Sequence, residues 1–199
     1  MKRLACLTIV FVIGLTFNAI GQEVNRQEDN PRPEAKSDAA EFSRKIDVQS
    51  KVVTQHSVTI KGQEISYSAT AGTQPVWAED GHPIATLFYT YYQRTGITNH
   101  DRRPLVISFN GGPGSASVWM HLAYTGPRIL KIDSEGFPVQ PYGVQDNPNS
   151  ILDVADIVFV NPVNTGYSRI VDPEADTSQF FGVQQDIKYL ADWINTFVT

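Results

Sequence analysis

Cysteine occurs once in this sequence, as Cys6, so the chain can close no disulfide of its own and its stability must come from an apolar core. Positive charge is also in deficit. Sixteen lysines and arginines against 21 acidic residues give a formal net charge of −5, which argues against nucleic acid as a partner. The longest apolar run, Leu4 to Phe17, falls short of the roughly 20 residues a membrane-spanning helix needs. No stable membrane anchor is expected. There is no internal repeat, and the four histidines, at 56, 82, 100 and 121, have no metal-site spacing. The sequence therefore calls for neither a metal nor a cofactor.

What is present begins with an export pattern. Lys2 and Arg3 precede the apolar run, and small residues around Ala19 and Gly21 follow it, which is the layout of a cleaved secretory signal. Cys6 stands at the front of the run rather than behind it, the wrong place for a lipid-bearing cysteine. Removal of residues 1–21 takes the net charge from −5 to −7 and leaves a periplasmic or extracellular protein. Residues 22–45, rich in charge, Asn and Pro with few large apolar side chains, read as a disordered lead. Residues 46–199 hold the folded domain.

That domain opens with alternating apolar and polar residues from Lys51 to Ile60 and from Glu64 to Ala69 around Lys61-Gly62, a hairpin pattern. Ile84 to Tyr92 adds a third extended stretch. Pro104 to Phe109 is instead a continuous apolar run, as expected of a central strand buried on both faces, and Ile157 to Val160 repeats it. A short helix is expected around Val118 to Tyr124. Phe180, Val183, Ile187, Leu190, Ile194 and Phe197 recur at helical spacing, with Asp176 and Gln179 as the N-terminal cap. Strands followed by alternating helix and strand imply an α/β sheet. The final helix has a start but no stop signal, so the sequence is expected to be cut short. A strand such as Ile157 to Val160 is then expected to lack its next neighbour and to expose an apolar edge.

The chemistry is expected in Asn110-Gly-Gly-Pro-Gly-Ser-Ala-Ser117, directly behind the first buried strand. A glycine loop there can bring backbone N–H groups close to a substrate carbonyl, because no Cβ blocks the approach. A plain Gly-Pro turn is the alternative for the loop taken alone. In context it resembles the Asn-Gly-Gly-Pro-Gly signature of the serine carboxypeptidases. Tyr124-Thr-Gly-Pro-Arg128, Pro141-Tyr142, Asn147-Pro-Asn-Ser150 and the run from Ala155 to Ser168 resemble that family's later motifs, in the same order. The resemblance covers roughly Val52 to Val198. It implies an α/β-hydrolase-type sheet, antiparallel at the start and parallel later, ending before the nucleophile elbow.

The resemblance further implies a C-terminal exopeptidase working through an acyl-enzyme on peptides with a free C-terminus. Asn110 would bond the substrate's terminal carboxylate, and Gly111 and Gly112 would form the oxyanion-hole backbone. The glutamate that the family pairs with this asparagine is missing here, so carboxylate recognition is half present. Also missing is any G-x-S-x-G elbow. Ser115 reads as a helix N-cap or loop hydroxyl, and Ser168 lacks the closing glycine. All four histidines read as structural or solvated. This chain alone is therefore expected to be inactive. An acyltransferase of the same fold would share every residue seen, whereas a non-catalytic secreted binding module would require a complete sheet and a capped last helix.

Overall fold

The computed structural model describes residues 46–110 and 114–199. The segments expected to be an export signal and a lead, together with Gly111 and Gly112, lie outside the described residues. Strands β1 (Ser50–Ile60) and β2 (Gln63–Trp77) form the expected hairpin, turning at Lys61 and Gly62, which have φ of 50° and 79°. Such angles match the right-handed twist of the flanking strands. β3 (Pro83–Arg94) continues the antiparallel series. Next come β4 (Leu105–Ser108), a helical turn at Val118–Thr125 whose last six residues are π-helical, and the small antiparallel pair β5 (Arg128–Leu130) and β6 (Val144–Asp146). β7 (Asp156–Val160), the two-residue β8 (Arg169–Ile170) and helix α1 (Val183–Val198) complete the described fold.

The main sheet runs in the order β1-β2-β3-β7-β4, with β8 also on β3. β7 pairs antiparallel to β3 and parallel to β4, so it is the strand at which the sheet changes from antiparallel to parallel. This is the α/β-hydrolase-type mixture that was expected. All five β7 residues are buried. One layer of core, including Leu87, Val158, Val160, Phe180, Leu190 and Trp193, lies between the sheet and α1. Another, including Ile60, Ile65, Tyr92, Leu152, Ile157 and Phe159, covers the other face.

Two expectations are corrected. β7, expected to lack a neighbour, is paired on both sides, by β3 and by β4. Among the described residues β4 pairs with β7, and Leu105 and Phe109 are 37% and 44% exposed. The terminal helix does not begin at Asp176. Asp176 caps a separate short turn, Thr177–Phe180, by accepting a hydrogen bond from Ser178 N at 2.9 Å. The chain then breaks at Gly182, whose φ of 143° interrupts the helix. Tyr189, Leu190 and Trp193 face the core, while Val183 and Ile187, although in the apolar period, remain exposed.

A buried carboxylate anchors the start of β7. Asp156 accepts hydrogen bonds from Arg103 Nε and from the backbone N–H of Arg94, both at 3.0 Å. Arg103 also donates to Leu152 O at 3.0 Å. Two donors and a full counter-charge meet the desolvation cost of the buried anion. The pairing joins the ends of β3, β4 and β7, which sets the parallel register.

Candidate functional site

The loops after β4 and β7 leave the sheet side by side, because parallel neighbours end at the same side of a sheet. Hydrogen bonds then join them. Ser117 donates its backbone N–H to Asn161 Oδ1 at 3.0 Å and its hydroxyl to Val160 O, and its Oγ accepts from Asn110 N at 3.3 Å. Gly166 is required here: its φ is 51°, and a Cβ would lie 2.3 Å from Asn161 Nδ2.

Asn110 stands at the end of β4, half-buried, with Oδ1 accepting from Met120 N at 3.4 Å. With Oδ1 turned to the helical segment, the carboxamide's Nδ2 is the group suited to an anionic ligand. Asn110 lines a cleft of about 360 Å³ with Gly114, Val163, Asp186, Tyr189 and Leu190 among others. Asp186 is its one formally charged lining residue. Another cleft, about 490 Å³ beside Trp77, Phe180 and Lys188, contains none of the loop residues and is set apart from this chemistry.

The serines and histidines behave largely as expected. Ser168 is fully buried, donating to Asn161 O at 2.7 Å and accepting from Phe88 N at 2.8 Å, so its hydroxyl is consumed in joining β3 to the β7 loop. Ser115 is a loop hydroxyl near Ala116 O at 3.4 Å and caps no helix. His56 bonds Thr54 Oγ1 at 2.7 Å on the exposed face of the hairpin, and His100 begins a short surface turn. His82 is more than solvated: its two ring nitrogens meet the carboxylates of Asp80 and Asp172, and these hydrogen bonds raise its pKa. It ties the β2–β3 turn to the segment after β8.

His121 has a different setting. Its ring stacks on Phe159 with centroids 4.6 Å apart, and Nε2 lies 2.6 Å from the Tyr92 hydroxyl. Burial pushes its pKa down to about 4, so the ring is neutral over most of the pH range. None of the four histidines forms a base with a nucleophilic serine among the described residues.

Sequence reasoning placed the residues that hold the site together within motifs but missed their role. Asn147 is buried and donates through Nδ2 to Tyr124 O and Gly126 O, both at 2.8 Å, while Ser150 Oγ donates to Thr125 O at 2.9 Å. Together they satisfy the carbonyls left open where the helical turn ends. Asn161 and Ser117 do the equivalent for the two loops. Their types, short polar side chains beside Gly and Pro, signalled local bonding but not the partner.

A family model described as serine carboxypeptidase matches residues 62–199. The chain is 35% identical over 115 residues to the pheromone-processing carboxypeptidase kex1 of Sclerotinia sclerotiorum, an alignment covering 56% of this chain and 16% of that protein. It is 30% identical over 91 residues to serine carboxypeptidase S10 family member 1 of Dictyostelium discoideum, covering 45% of this chain and 20% of that one. A solved structure of Kex1(Δ)p, a prohormone-processing carboxypeptidase from Saccharomyces cerevisiae, aligns at 24% identity and a TM-score of 0.47, covering 65% of this chain and 28% of the other. The chain thus spans no more than 20% of the length of either curated relative.

Proposed function

The chain belongs to the serine carboxypeptidase family, and from that membership we propose that it supplies the oxyanion side of a serine-type C-terminal exopeptidase. In this reading the Gly111 and Gly112 backbone receives the developing oxyanion and Asn110 Nδ2 bonds the free carboxylate of a peptide. The nucleophile and its aspartate and histidine lie outside this 199-residue sequence, so the chain alone is inactive. Export with loss of residues 1–21 belongs to the same proposal. The carrying observation is Asn110 itself, held by its Oδ1 bond to Met120 N and lining a cleft together with Gly114. Asp186 in that cleft disfavours an anion, so Asp186→Asn should strengthen free-acid binding.

The test is kinetic, in the complete enzyme, on matched free-acid and amidated peptides. Asn110→Ala removes a bond to a charged group worth about 1.5–3 kcal/mol, so kcat/KM should fall on the order of tenfold to a hundredfold for free acids alone. Gly112→Val should lower kcat for both substrates, by about 10²-fold, if it displaces an oxyanion donor. Equal losses on both peptides for Asn110→Ala would end the carboxylate assignment.

A further inference from the structure

His121 stands where the helical turn joins the Asn110 loop to the core. Its backbone N–H donates to Ser117 O at 3.0 Å, and Met120, the residue before it, donates its N–H to Asn110 Oδ1 at 3.4 Å. Two separate anchors therefore act on Asn110. Its backbone is held by Ser117, which has its own tie to Asn161, whereas its carboxamide is held by Met120 and so by the turn. Asn147 and Ser150 fasten the far end of that turn. At the loop end Val118 and Trp119 are exposed, and the inward contacts fall to Met120 and to the His121 ring, which stacks on Phe159 of β7 and bonds Tyr92 of β3. The segment is π-helical, a rare form, and depends on such contacts for its shape.

These contacts suit the neutral ring. Neutral, Nε2 can accept the Tyr92 hydroxyl; protonated, both ring nitrogens are donors, so the bond must reverse and the Tyr92 proton is left without an acceptor among the described residues. Burial penalises the cation and brings the pKa down to about 4. The titratable and charged groups on this side are Tyr92, Tyr67 behind it on β2, and Arg128 on β5, whose partner Asp146 is engaged at 2.7 Å. Among the described residues no carboxylate pairs with the ring.

We propose that His121 is a positioning residue for substrate recognition: its neutral ring docks the turn so that Met120 N aims the Asn110 carboxamide, and protonation of the ring lets that carboxamide go. The inference rests on the carboxypeptidase reading for what Asn110 binds. Because the backbone of Asn110 has its separate anchor, the effect belongs to KM for free-acid peptides and not to kcat on amides.

The complete enzyme tests it, through the ratio of kcat/KM for a free-acid peptide to that for its amide between pH 6.5 and 3.5, in wild type and His121→Gln. Glutamine keeps an oxygen for the Tyr92 hydroxyl but does not titrate. Dividing the wild-type ratio by the variant's cancels the titration of the substrate and of every group the two proteins share. Relative to pH 6.5, the quotient should fall roughly twofold by pH 4 and about fourfold by pH 3.5. Tyr92→Phe removes the donor that favours the neutral ring, so it should move the fall to higher pH by roughly half to one unit, and it serves if His121→Gln folds poorly. Hydrogen exchange of residues 117–125, read by mass spectrometry and corrected for its intrinsic pH dependence, should show protection lost with acid in wild type and retained in His121→Gln. A ratio that does not respond to Asn110→Ala would remove the carboxylate reading, leaving the exchange comparison to decide the His121 linkage. A ratio that responds to Asn110→Ala but has parallel pH profiles in wild type and His121→Gln overturns the His121 role alone. Protection lost equally in both proteins, or a fall in Tyr92→Phe at the wild-type pH, overturns it as well.

Discussion

Asn161 Oδ1 accepts the backbone N–H of Ser117 at 3.0 Å, so one side-chain oxygen on the loop after β7 fixes the loop after β4 across 44 residues of sequence. Asn161→Ala leaves that N–H without its partner, at a cost of about 1–3 kcal/mol. Gly166→Ala drives a Cβ into the same carboxamide from a positive-φ position and should cost at least as much. Chemical denaturation should give both losses, and amide exchange at Ser117 should rise in Asn161→Ala. Unchanged protection at Ser117 would contradict the role assigned to Asn161.

Stability should fall with acid through His121. Its folded pKa is depressed to about 4 from an ordinary 6.5, so the neutral ring's contribution is complete above pH 6.5 and is lost as pH falls toward 4. At about 1.4 kcal/mol per pH unit the loss approaches ~3 kcal/mol. His82 works in the opposite sense, since a raised pKa stabilises below 6.5 and fades as pH rises through its folded value. The comparison that isolates His121 is therefore wild type against His121→Leu. The variant starts less stable, having lost the Tyr92 bond, but its stability should decline less between pH 6.5 and 4. Parallel pH curves for the two proteins would refute the assignment.

A fluorophosphonate should not label this chain stoichiometrically at Ser115 or Ser168. Ser168 is buried with its hydroxyl committed at both ends, and Ser115 has no base beside it among the described residues. Ser168→Ala should instead lower stability by about 1–3 kcal/mol, because Phe88 N–H and Asn161 O lose a common partner. Intact-mass measurement after labelling, alongside thermal denaturation of the variant, decides between a chemical and a structural hydroxyl.

Arg103→Leu should be among the most damaging substitutions outside the loops. It leaves Asp156 buried with only the Arg94 N–H and strips a donor from Leu152 O, a loss of about 3–5 kcal/mol for breaking such a pair from one side. Arg103→Leu combined with Asp156→Asn should recover part of it. A double variant no more stable than the single one would mean that the charge left in Asp156 is not the cause.

The sequence by itself determined the local elements. Period-two alternation and a Lys-Gly turn specify the β1–β2 hairpin, since alternate residues of a strand share a face whatever the strand packs on. The unbroken apolar run of β7 specified burial on both faces, and the Asn110–Ser117 loop with its ordered companion motifs specified the family. Only the tertiary structure decided the order of the strands. β4 and β7 read alike as strings, but β7 inserts between β3 and β4, and strand order depends on pairings between residues far apart in the chain. The same reason hid the Asp156–Arg103 pair, the Ser117–Asn161 bond and the neutral state of His121. Each depends on a partner 38 to 53 residues away, and a side chain's charge and commitments are set by what packs beside it rather than by its neighbours in sequence.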